Sequence, residues 1–175
     1  MSLSRSASRI RIRSFPLGRW ILALILLLAA VAAAFAMYVR AADSDYRNER
    51  SKAVSFAREQ GELATVERAV FYTWDESLWV VEGTDREGVA WMLWERGDGL
   101  VKEKIDDGFS EARILAQFGV QKPHAEVVRI QPGWFANQPV WEIRYRLAPD
   151  SPKQSIGFYS FKEGIGIKTY DLPGS

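Results

Sequence analysis

Cysteine is absent from all 175 residues, histidine occurs once, and no acidic residue precedes Asp43. The first absence excludes disulfides, thiolate metal sites, thiol nucleophiles and lipoprotein-type acylation, so the fold must rest on its own core. The second removes the usual zinc-ligand sets and the commonest general base. His124, the one histidine, follows Pro123 and reads as a loop or strand-edge residue. Phosphate-loop glycines are missing as well, and Gly164-Ile165-Gly166 is too short for a nucleotide fingerprint. No cofactor is expected, and an enzymatic role is not.

The third absence separates two kinds of surface. Arg5, Arg9, Arg11, Arg13 and Arg19 stand unopposed at the start of the chain. Six of the 23 basic residues lie at or before position 40, leaving 17 against 22 acidic ones beyond it, a net charge of −5. An acidic domain does not displace counterions from phosphates, so nucleic acid is excluded as a partner. Charge is also missing altogether from Trp20 to Val39, an apolar run of about 30 Å as a helix, matching a bilayer's hydrocarbon core. Trp20 at one end and Tyr38 with Arg40 at the other have the character of interfacial anchors. Arginine-rich short flanks stay on the cytoplasmic side, which places the C-terminal 135 residues outside. Ala34-Phe35-Ala36 has the small-x-small form of a signal-peptidase site, an alternative that exports the same domain. The arginines of the tail are suited to anionic headgroups.

Beyond the apolar run the chain reads as an α+β unit present twice. The expected division is a basic tail over 1–19, a transmembrane helix over 20–39, a first unit over 43–105 and a second over 106–175. Tyr46, Ala53, Val54 and Ala57 fall on one helix face that Gly61 ends, with Arg40 to Asp45 as a joining segment. Strands are expected over 66–73, 78–82, 90–95 and 100–105, divided by Asp/Gly/Ser turns. In the second copy Ser110 is the N-cap, Phe109 and Ile114 form a hydrophobic staple, and Gly119 stops the helix. Strands then read 125–131, 140–147, 155–161 and 164–170. Along Trp141 to Leu147 the alternation is strict, with Trp141, Ile143, Tyr145 and Leu147 inward and Glu142, Arg144 and Arg146 toward water. Thr65-Val66 lies over Val127-Val128 and Trp79 over Trp141 at an offset of 62. Trp91, Trp94, Gly99 and Leu100 lie over Phe158, Phe161, Gly166 and Ile167 at 67, the five extra residues being assigned to the Ala148–Lys153 loop.

The Thr65-Val66 strand start, Leu78-Trp79-Val80-Val81 and above all Pro139-Val140-Trp141-Glu142-Ile143-Arg144-Tyr145 resemble the YpmB/TseB-like proteins of Gram-positive bacteria. The resemblance covers about residues 20 to 170. It implies a single-pass protein with two tandem cystatin-like or PepSY-like domains outside the membrane. It also implies control of cell-wall elongation through association with a penicillin-binding protein. The arginine-rich tail and the abundance of tryptophan depart from the family pattern.

Three local clusters invite chemistry and have simpler readings. Asp106-Asp107, near Glu103 and Glu111, lack the alternating spacing of a calcium loop and suit a helix-initiating acidic turn. Arg96-Gly97-Asp98 spells an adhesion tripeptide, but Gly97-Asp98-Gly99 is what a tight hairpin requires. Six tryptophans lie beyond the apolar run. Alternation places Trp79 and Trp141 in the core, whereas Trp91 and Trp94 are three apart and point to opposite faces. Trp74 and Trp134-Phe135 sit at hairpin turns, where exposed aromatics suit a partner. Those three, and the groove between the two copies, are the expected partner-binding positions. A regulatory binding module is the first reading; an exported peptidase inhibitor and a glycan-binding module are the alternatives.

Overall fold

The computed structural model describes residues 17–173. The arginine tail before residue 17 therefore lies outside the described residues. A single helix, α1, runs over Leu17–Glu59, so the joining segment expected at Arg40 to Asp45 is helical instead. None of those residues is proline or glycine, so nothing in the segment interrupts the ladder. The chain divides at Asp45 into this helical part and a compact unit from Tyr46 onward. In the helical part Trp20, Ile21, Leu24, Leu27, Phe35 and Tyr38 are all more than half exposed. A helix that long and apolar can cross a membrane by length and composition.

The compact unit holds the α+β architecture read from the sequence. Strands β1 (Thr65–Thr73), β2 (Ser77–Thr84), β3 (Ala90–Arg96) and β4 (Gly99–Lys104) form one antiparallel meander. A 3₁₀ turn (Ile105–Asp107) and α2 (Glu111–Gln121) lead to β5 (Glu126–Phe135), β6 (Gln138–Arg146), β7 (Gln154–Ser160) and β8 (Gly166–Asp171), a second meander. Ser110 caps α2 by accepting from the Arg113 amide at 3.3 Å. Gly119 does not stop this helix. Glycine costs about 1 kcal/mol inside a helix without breaking it, and the end falls at Lys122, where Pro123 disfavours further helical backbone.

Strand pairing shows the repeat more closely than residue matching does. Each first strand carries a bulge at the same place, between Val66 and Arg68 in β1 and between Val127 and Arg129 in β5. Following the paired registers, β1 maps on β5 at an offset of 61, β2 on β6 at 62, β3 on β7 at 64 and β4 on β8 at 67. Trp91 and Trp94 thus correspond to Ser155 and Phe158, not to Phe158 and Phe161. The extra residues are spread over three connections rather than one loop, which residue type alone does not reveal.

Both helices cover the same face of their own sheet. Ala53 and Ala57 of α1 pack with Trp79, Val81 and Leu93. Ile114 and Phe118 of α2 pack with Trp141, Ile143, Tyr145 and Tyr159. The opposite face of the first sheet, bearing Tyr72, Leu78, Val80, Met92 and Trp94, belongs to that second cluster. The first sheet therefore stacks its bare face on the helix side of the second half, and the two share one core. Gly61 allows the close approach beneath α1, because a Cβ there would collide with the Leu93 side chain and the Ala57 carbonyl. Ala57 is 1% exposed at this contact. Ala57→Leu is expected to cost about 1–3 kcal/mol by overpacking, read as a lowered denaturant midpoint.

Candidate functional site

On the far face of the second sheet lies a groove of about 320 Å³ between the two copies. Its walls are Phe71, Thr73 and Trp74 at the end of β1 and Leu172 after β8; its floor is Arg129, Gln131, Glu142, Arg144 and Ile156. Pairing explains the floor. Gln131 stands opposite Glu142, Arg129 opposite Arg144, and Arg144 opposite Ile156, so all project from one side of the sheet.

Glu142 is only 3% exposed, which corrects the expectation that it faces water. The alternation in β6 holds, but its second face is not a solvent face. Buried Val140, Ile156, Phe158 and Phe135 form a third apolar cluster there. Glu142 is tolerated among them because Arg129 Nη2 donates to its Oε1 at 3.0 Å and Gln131 Nε2 donates to the same oxygen at 3.4 Å. Burial, and next the charge of Glu142, hold the nearby Tyr72 phenol far above its ordinary range. Arg144 donates from Nε to Gln154 Oε1 at 2.7 Å. Leu147, expected inward, lies just beyond the last paired residue of β6 and is 60% exposed.

The tryptophans divide sharply. Trp74 is 41% exposed, with its ring 5.1 Å from Phe158 and 5.7 Å from Tyr170. Trp134 and Phe135, expected as exposed turn aromatics, are buried at 3% and 9%. They end β5 rather than occupy the turn, which is Ala136-Asn137, both at positive φ as a two-residue hairpin requires. Phe135 stacks on Phe158 at 4.3 Å and 10°. Trp134 lies under the Arg96 guanidinium, 4.4 Å away, and Arg96 in turn donates twice to the Glu76 carboxylate. The Ala136 amide donates to Asp75 Oδ2 at 3.1 Å, tying the two hairpin turns together. Trp134 and Phe135 thus support the turn that presents Trp74.

Elsewhere, Trp79, Trp94 and Trp141 are buried. Trp91 is half-buried, donates from its indole nitrogen to Asp85 at 2.8 Å and lies under Lys102. Gly97-Asp98 is the two-residue turn joining β3 to β4, with Arg96 paired to Gly99. His124 is exposed in the turn before β5. Trp20, Tyr38 and Arg40 stand exposed on α1. The groove itself had no motif. Its only sequence signal is that Gln131, Glu142 and Arg144 alternate with core residues at strand spacing.

Three likenesses to known proteins bear on this geometry. Residues 52–94 match the family described as "Cell wall elongation regulator TseB-like domain". The probable cell wall elongation regulator TseB of Bacillus subtilis (strain 168) is 27% identical over 150 residues, covering 82% of this chain and 89% of its own. The solved structure of YpmB protein from Bacillus subtilis has a TM-score of 0.63 at 21% identity, over 70% of this chain and 97% of the other, which shows the fold. Together they bear out the resemblance read from the sequence: the chain is TseB/YpmB-like.

Proposed function

We propose that this TseB/YpmB-like chain is a membrane-anchored, non-catalytic binding module that regulates cell-wall elongation from outside the membrane. Its partner in this reading is a penicillin-binding protein or another wall-synthesis enzyme, engaged through the groove beside Trp74. The observation that carries the site is Trp74 itself, a large aromatic held exposed at the lip of a polar groove by buried Trp134, Phe135 and Phe158. Preorganised aromatics of this kind dominate binding energy at interfaces. Glu142 is poorly suited to act as a base, because one of its oxygens already accepts from both Arg129 and Gln131.

The name of the Bacillus relative, a probable cell wall elongation regulator, supports the regulatory role. The exposed apolar residues from Trp20 to Val39 support the anchor, and the arginines before them support an N-terminus in the cytoplasm. Tethering both proteins to one surface raises their effective concentration, so a modest interface suffices. Trp74→Ala in the full-length chain is expected to weaken co-purification with the wall enzyme about thirtyfold, the scale of a hot-spot residue. A photocrosslinker in place of Trp74 should capture that enzyme in cells; wild-type-like co-purification by Trp74→Ala removes the groove as the site. Trp74 beside the 39% exposed Tyr170 also favours a second reading, glycan stacking. Quenching of tryptophan fluorescence by soluble wall fragments would identify it.

A further inference from the structure

The repeat supplies a reference for what the groove face would be if it served packing alone. In the first sheet the corresponding face stacks on the second half, and its central positions are Val70, Val80, Trp94 and Val101. Their register equivalents in the second sheet are Gln131, Glu142, Phe158 and Lys168. Glu82 is likewise replaced by Arg144, while Arg68 is matched by Arg129. The face that has no third copy to pack on has thus exchanged valines for polar groups and, at Arg144, an acidic residue for a basic one. Four cations, Arg129, Arg144, Arg146 and Lys168, stand on this face against two carboxylates, Glu126 and Glu142, on a domain whose net charge is −5.

The other charges around the groove are already engaged. Asp75 accepts from the Ala136 amide, Glu76 is paired with Arg96, and Arg146 is paired with Glu126 at 3.1 Å. Glu142 offsets Arg129, which leaves Arg144, held by a neutral glutamine, and exposed Lys168 as the cations of this face without a carboxylate partner, while Asp75 keeps its charge at the far turn. Beside them lie the apolar ring of Trp74 and the exposed part of Tyr170. Resting on the reading of this groove as the partner site, we propose that its occupant is an acidic segment of a partner protein. That segment places one Asp or Glu carboxylate against Arg144, another against Lys168, and an apolar or aromatic side chain against Trp74. Charge-assisted hydrogen bonds from a guanidinium suit a carboxylate, and cation-lined clefts accelerate encounter with acidic partners.

The test uses the full chain in neutral nanodiscs and a fluorescein-labelled decapeptide of alternating Glu and Phe, with a Lys/Phe decapeptide as its counterpart. The acidic peptide is expected to bind, with anisotropy that falls as salt rises, and the basic one at least tenfold more weakly. Arg144→Gln combined with Lys168→Glu should reduce affinity for the acidic peptide at least tenfold. Lys168→Glu alone, at an exposed position, should reduce it severalfold with an unchanged circular dichroism spectrum. Equal binding of the two peptides, or variants that bind as the wild type does, would overturn the proposal. So would an equal response to inorganic polyphosphate, which would mean that the groove attracts any polyanion. Crosslinking from Trp74 separates this from the functional reading: capture of the wall enzyme by a charge-reversed chain at wild-type yield keeps the site and rejects the acidic occupant.

Discussion

Trp94→Ala is expected to leave the protein barely folded, with both sheets melting in a single transition. Trp94 is wholly buried, donates its indole proton to the Gly133 carbonyl at 2.8 Å, and meets Phe161 edge-on at 5.1 Å. It belongs to the first sheet, whereas both partners belong to the second half. Truncation removes the apolar burial, leaves a cavity and strands a buried carbonyl, for a cost of about 3–5 kcal/mol. Domains of this size have about 5–15 kcal/mol to lose. Urea unfolding of the full chain in detergent, followed by circular dichroism and by remaining tryptophan fluorescence, gives the answer. Coincident curves at a much lower midpoint are expected. A curve in which the second sheet keeps its wild-type midpoint would show that the halves do not share a core. Trp94→Phe, which keeps most of the volume, should lie between the two.

The second large effect is unfolding in alkali. Burial raises the Tyr159 phenol to about 12, and burial with the charge of Glu142 raises Tyr72 further. For an acid whose pKa is higher folded than unfolded, the stabilisation is complete below the unfolded value and disappears as pH rises through the folded one. The window therefore opens near pH 10 and closes near pH 12 for Tyr159. A difference of about two pKa units is worth about 3 kcal/mol from Tyr159 alone. The denaturant midpoint should stay level to about pH 10 and then fall steeply. Tyr72→Phe with Tyr159→Phe should flatten that fall; a double variant that unfolds at the same pH as the wild type would locate the alkaline lability elsewhere.

Glu142 and Trp134 depart from expectation for one reason. Alternation and turn position within a strand say which side a residue is on but not what lies on that side. For Trp141, Ile143 and Tyr145 the side and its contents agree, and the reading from alternation stands. For Glu142 the side closes because Trp74, far away in sequence, comes to lie with Phe135 beside Phe158. The same limit explains the repeat offsets. Matching Trp91 to Phe158 pairs like with like, whereas hydrogen-bond register pairs Trp94 with Phe158.

Short-range chemistry, then, was carried by the sequence alone. The uncharged run from Trp20 to Val39, the Ser110 cap, the Gly97-Asp98 turn and most strand extents depend on neighbours within a few residues. Propensity, capping and periodicity act over that distance. Tertiary structure decided which faces are closed, how the second sheet's outer face came to hold a groove, and that Trp74 rather than Trp134 is presented at its lip. Those outcomes depend on stacking one sheet on another half of the chain, through contacts such as Trp94 to Gly133 and Asp75 to Ala136 that no local pattern encodes.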